Sequence, residues 1–123
     1  MHFLSEVGHW LTASAHWHGT SGIPHRLGEH MAMAAAAVVT SLVIGLPIGL
    51  VLGHIGRGGT LAINISNVGR AIPSLALLVI GVQVFGIGGK PAYIALVALA
   101  VPPIVTNSYT GIRQVDPDVR EAA

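Results

Sequence analysis

Residues 31–53 read MAMAAAAVVTSLVIGLPIGLVLG, a stretch without a single charged side chain. As a helix it would extend about 34 Å, enough to cross the hydrocarbon core of a bilayer. We therefore read it as a first membrane span. Along it Ala37, Ser41, Gly45, Gly49 and Gly53 recur at every fourth position, so small side chains form one stripe on which a second helix can approach backbone to backbone. This pattern is read as bundle packing rather than as a pore wall. Pro47 removes one helical hydrogen bond and is expected to kink the span, with neighbouring groups compensating.

The rest of the composition agrees with a membrane chain. Of 123 residues, 52% are hydrophobic and 9% charged, against about a quarter charged in soluble domains. The mean hydropathy is +0.70. Glu6 and Glu29 precede the apolar region, and Asp116, Asp118 and Glu121 follow it, with no carboxylate between. That gap leaves no intramembrane carboxylate of the kind proton- or sodium-driven carriers use. The chain has no cysteine, and its net charge of +1 does not suggest nucleic acid. With no nucleophile beside a base, no ligand cluster in the spans and no nucleotide fingerprint, neither an enzyme nor a cofactor or metal site is expected.

Upstream, Phe3, Leu4, Val7, Trp10 and Leu11 recur at helical spacing within residues 1–18, with His2, Glu6, His9 and His16 off that stripe. The pattern fits a short helix at the membrane surface, where Trp10 and Trp17 can bury their rings and keep their N–H groups wet. Six of the seven histidines precede the first span. His16 and His18 invite a zinc reading, but a third fixed ligand is missing, and a polar, titratable surface is the simpler account. Gly19, Thr20, Ser21, Gly22 and Pro24 read as a linker. Residues 1–30 thus form an amphipathic leader on the outer side of the membrane. It lacks the basic and apolar regions of a cleaved signal peptide, so the first span is expected to direct insertion.

Downstream, His54, Gly56, Arg57, Gly58, Gly59 and Thr60 read as a glycine-rich turn, without the spacing of a phosphate loop. Asn64, Ser66, Asn67, Gly69 and Arg70 make a polar approach to a second span, expected over residues 66–86, in which Pro73 is a candidate kink and Gln83 the one polar side chain deep in the run. After a turn at Gly86, Gly88, Gly89 and Lys90, Pro91 opens a third span over residues 91–112. Pro102 and Pro103 are expected to break or bend it. Thr106, Asn107, Ser108, Tyr109 and Thr110 follow, and two readings stay open: these groups line a path with Gln83, or they lie at the interface with Tyr109. At the end of the chain Asp116 is a good N-cap and Pro117 suits the first helical position, so a helix opens over residues 116–123.

Arg57, Arg70, Arg113 and Arg120 fall at one side of these three spans, and Arg26 and Lys90 at the other. The excess of positive charge places the C-terminal segment in the cytoplasm and the N-terminus outside.

Several runs, read in order, resemble a known family: Ile72, Pro73, Ser74, Leu75, Ala76, Leu77, Leu78; Gly86, Ile87, Gly88; Pro103, Ile104, Val105; Asn107, Tyr109, Thr110, Gly111, Ile112; Val115, Asp116, Pro117; and Glu121, Ala122, Ala123. Their order and spacing resemble the permease subunit of binding-protein-dependent ABC importers, most closely the osmoprotectant branch for glycine betaine, carnitine and choline. The resemblance implies an all-α integral membrane protein with about three transmembrane helices of an ABC importer permease (MetI-like) core. It implies that Asp116, Pro117, Glu121, Ala122 and Ala123 open the coupling helix that docks on an ABC ATP-binding subunit, where hydrolysis would take place. Further implied partners are an extracytoplasmic substrate-binding protein, a second permease subunit in a homo- or heterodimer, and the lipid bilayer. In the family the Glu-Ala-Ala triplet continues into a glycine and further helices, so this sequence is expected to be an N-terminal fragment. An ABC permease for another solute, such as an amino acid or a sulfonate, and a small structural or assembly membrane protein remain as alternatives.

Overall fold

The structure, a computed structural model, describes residues 2–56, 58–71, 74–117 and 119. It divides into two compact units, Met1–Ala35 and Ala36–Ala123. Among the described residues the regular structure is entirely helical.

In the first unit, helix α1 spans His2–Thr12. On a helical wheel Phe3, Leu4, Val7, Trp10 and Leu11 fall within an arc of about 120°, opposite His2, Ser5, Glu6, His9 and Thr12. The helix ends earlier than residue 18 because the chain folds back on its own last turn. A 3₁₀ turn, Ser14–His16, returns the imidazole of His16 to the carbonyl of Trp10 at 2.8 Å, and the indole of Trp17 donates to the carbonyl of Leu11 at 2.6 Å. The last carbonyls of a helix have no helical donor, so these two side chains supply what the backbone cannot. A carbonyl only accepts, which puts the proton of His16 on Nδ1. The same imidazole stacks on the Trp10 ring with centroids 4.1 Å apart.

The expected linker is shorter than the sequence implied. Helix α2 spans Ile23–Ile55, so Ile23 and Pro24 already belong to its first turn, where a proline loses no hydrogen bond. Gly19 takes a φ of 78°, a left-handed value that marks the turn before it.

The second unit contains the remainder of α2 with α3, Gly59–Ala71; α4, Ser74–Phe85; and α5, Gly89–Arg113. By length and composition α2 and α5 can each cross a membrane, and α4 is a shorter apolar helix. Helix α2 is uninterrupted at Pro47, which sits on its exposed side. Asn64, Ser66, Asn67, Gly69 and Arg70 all belong to α3, which starts at Gly59, earlier than the residue 66 expected for the second span. Pro73, with its expected kink, and Arg57 lie outside the described residues.

Pro102 and Pro103 do not break α5. Proline's fixed φ is already helical, and the cost is confined to the amides that would have reached the carbonyls of Ala98 and Leu99. Burial of Pro102 within the unit offsets part of that cost.

The core of the second unit is the small-residue stripe. Ala37, Ser41, Gly45, Gly49 and Gly53 are the buried positions of α2. A Cβ built on Gly45 would lie 2.8 Å from Cγ2 of Ile104, one on Gly49 would lie 2.6 Å from Cβ of Ser108, and one on Gly53 would lie 2.8 Å from Cβ of Ile112. Both numberings rise together, so α2 and α5 run parallel. Near the other end the hydroxyls of Thr40 and Tyr93 meet at 2.5 Å. The chain returns between them through α3 and α4, both packed on α5.

Candidate functional site

Within the spans the sequence offered two groups of candidates, a packing stripe and a polar run, and the geometry separates their roles. Ser41, Gly45, Gly49 and Gly53 all lie in the α2–α5 contact. The hydroxyl of Ser41 donates to the carbonyl of Ala37 at 2.7 Å, which satisfies a fully buried group without a second helix.

The polar run on α5 divides by face. Ser108 is half-buried against Gly49 and belongs to the packing. Tyr109 is also half-buried, its ring against Gly59 at the start of α3. Thr106 is half-buried and donates to the carbonyl of Pro102 at 3.1 Å, one turn back. Asn107 points away from all of these and is exposed. It shares its face with Pro103, Thr110 and Gln114, also exposed, at spacings of four, three and four, which fall within about 60° of the helix circumference.

This stripe, with three polar side chains at Asn107, Thr110 and Gln114, is the feature that residue-by-residue reading missed. The signal was present: every member follows helical spacing through the polar run. The hydroxyl of Thr110 donates to the carbonyl of Thr106 at 2.8 Å, so the threonine is locally satisfied. An exposed amide such as Asn107 in hydrocarbon is costly, so this face requires water or another polar surface. Further toward the start of α5 the same face carries the exposed, apolar Leu96. The stripe is therefore polar in its C-terminal half only.

Gln83 is not brought to it. Gln83 is exposed near the end of α4, where Gly81 lies against Pro91 in the first turn of α5. Pro91 and Asn107 are about 24 Å apart along α5. If both residues border one path, they do so at opposite levels.

At the C-terminal end of α5 two features follow one another. Arg113 sits over Gly56, with Nη1 3.0 Å from where that residue's Cβ would be, beside the last carbonyls of α2. A cation there is favourably placed against the negative end of the helix dipole. Asp116 and Pro117 follow, both exposed. Glu121, Ala122 and Ala123 lie outside the described residues. Among the described residues no three histidine or carboxylate side chains come together as metal ligands, and His16 and His18 find no third.

The family described as "binding-protein-dependent transport system inner membrane component" matches residues 41–123. Among curated relatives, a glycine betaine/carnitine/choline transport system permease protein of Bacillus subtilis is 34% identical over 98 residues, covering 80% of this chain and 45% of that protein. A choline transport system permease protein of the same organism is 36% identical over 94 residues, with 76% and 43% covered. An osmoprotectant import permease protein of Salmonella typhimurium is 34% identical over 100 residues, with 79% and 42% covered. The chain thus spans less than half the length of these relatives. No solved structure matches it.

Proposed function

The chain belongs to the inner membrane components of binding-protein-dependent transport systems, and we propose that it forms part of the permease of an ATP-driven importer for quaternary-amine osmoprotectants such as glycine betaine, carnitine or choline. The observation that carries the substrate class is the agreement among relatives, each at about a third identity and each named for these solutes or for osmoprotectants. A permease holds no reaction centre of its own. Its work is to offer and withdraw a polar route through the bilayer.

In this reading the Pro103, Asn107, Thr110 and Gln114 face of α5 borders that route, with Thr106 beside it and Gln83 at another level. Ser108 serves packing instead. Neutral amides and hydroxyls suit a cargo that carries a permanent cation, since they solvate it without holding it as a carboxylate would. The end of α5, with Arg113 covering the end of α2, leads into Asp116 and Pro117 and on to Glu121, Ala122 and Ala123. This stretch opens a cytoplasmic coupling helix that docks on an ATP-binding subunit. An external substrate-binding protein and a second permease subunit complete the transporter. The basic residues orient the C-terminal segment to the cytoplasm and the N-terminus outward.

The test is uptake of labelled glycine betaine by cells lacking their own osmoprotectant importers, expressing the gene together with its ATP-binding and substrate-binding partners. Asn107→Leu is expected to lower uptake at least about tenfold at unchanged membrane abundance, the scale set by losing one or two well-placed polar contacts. Glu121→Lys is expected to abolish co-purification of the ATP-binding subunit. Uptake of an amino acid or sulfonate but no betaine would replace the substrate assignment. Intact assembly and uptake in Glu121→Lys would remove the coupling role.

A further inference from the structure

The first unit holds an apolar surface that nothing in its own structure covers. Every described residue of α1 escapes burial, including Phe3 at 74% and Leu4 at 75% exposure. An isolated helix of this length is marginal in water, and it gains little by displaying its apolar stripe there. Yet its end is held. His16 and Trp17 occupy the terminal carbonyls of Trp10 and Leu11, and the Trp10 ring is clamped by His16. Beside this clasp is a cleft of about 390 Å³ lined by Trp10, His16, Ser21, Ile23, Arg26 and Leu27, so the clasp and the first turns of α2 share one surface.

What covers the stripe follows from where the unit lies. Within it, His25, Arg26, Glu29 and His30 give way at Met31 to an uncharged run, so the hydrocarbon boundary falls near His30. Ile23 is then about 10 Å outside that boundary along the helix, the depth of the headgroup layer. Only ten residues separate the end of α1 from Ile23. Trp17 and Leu27, both exposed, add to the apolar surface of this unit, and indoles favour the water–lipid boundary.

We infer that the first unit is an interfacial clasp: α1 lies in the outer headgroup layer of the phospholipid bilayer with Phe3, Leu4, Val7, Trp10 and Leu11 against the acyl boundary, held in that pose by His16 and Trp17. The occupant of the surface is lipid. The short connection to a helix that enters the membrane keeps the stripe within reach of the headgroup layer, which a soluble partner or a second copy of the chain would not require.

The chain's own fluorophores test this, because Trp10 and Trp17 are its only tryptophans. The full chain is reconstituted in phosphatidylcholine–phosphatidylglycerol vesicles, with and without lipids brominated near the carbonyl end of the acyl chain. Expected are a blue-shifted emission, bromolipid quenching, and an acrylamide quenching constant about threefold below that of free indole. Phe3→Glu combined with Leu4→Glu is expected to reverse both quenching effects, and Phe3→Leu to preserve them. If the charged variant fails to insert, bromolipid quenching of the unaltered chain decides alone. Its absence, with acrylamide access equal to free indole, overturns the inference. So does shielding that disappears when the chain is diluted with excess lipid, since a second copy would then be the cover. The readout needs no transport, so it stands or falls separately from the importer reading.

Discussion

Gly49 of α2 and Ser108 of α5 stand so close that a methyl group on the glycine would come within 2.6 Å of both the serine Cβ and the carbonyl oxygen of Val105. No rotamer change relieves a contact with a backbone oxygen, so helix separation is the only escape. Gly49→Ala is therefore expected to destabilise the second unit by about 1–3 kcal/mol, the usual cost of overpacking. Gly111→Ala is the control, because nothing lies within 4 Å of that position. Thermal unfolding in detergent compares the two, and equal behaviour would show that α2 and α5 do not meet through Gly49.

Gly59 and Tyr109 form a second close pair, with the phenol oxygen against the glycine and Cζ 3.1 Å from where a Cβ would be. Here the neighbour is the far end of a side chain, so relief is available. Gly59→Ala should lower the unfolding midpoint, and Tyr109→Phe in the same chain should restore part of it. If the double variant is as unstable as the sum of the single ones, the pair is not in contact.

The hydroxyls of Thr40 and Tyr93 join α2 to α5 across 2.5 Å. A double-mutant cycle of Thr40→Val and Tyr93→Phe is expected to return a coupling of about 0.6 kcal/mol, the mean for interhelical hydrogen bonds in a membrane. A coupling of zero would mean that the two hydroxyls prefer other partners in lipid.

Trp17→Phe keeps an apolar ring but removes the donor that reaches the carbonyl of Leu11. The loss of one such bond, about 1 kcal/mol, should speed amide exchange in the last turn of α1 about fivefold. Exchange elsewhere in the chain should be unchanged. No acceleration in that turn would mean that the indole bond does not hold the helix end.

How much of this was readable beforehand differs by feature. The period-four stripe from Ala37 to Gly53 could be read directly, because small residues have one main use on an apolar helix and the spacing fixes their face. At Pro102 and Pro103 the expected break does not occur: local rules assess the lost amides, whereas α3 and α4 packing on α5 and the burial of Pro102 support a continuous helix. Linker limits failed for a related reason, since Pro24 belongs to a helix start as readily as to a loop. For the candidate site, the polar run was visible but its division was not. Ser108 and Asn107 are neighbours in sequence and face opposite surroundings, one against Gly49 and the other outward. The bond between Thr40 and Tyr93 joins positions 53 residues apart, and no local pattern announces it.

The parallel pairing of α2 and α5 carries a mechanical consequence. Where backbones touch through glycine there are no intervening side chains to change rotamer, and the joint has almost no slack. A displacement at the end of α5 is therefore carried by α2 as well, the two helices acting as a single stiff strut. The glycines that follow α2, Gly56 and Gly58, adopt φ values of 72° and 90° and lie against Arg113 and Leu52, so the end of the strut is covered as well. Because α3 and α4 are themselves packed on α5, they travel with the strut rather than against it.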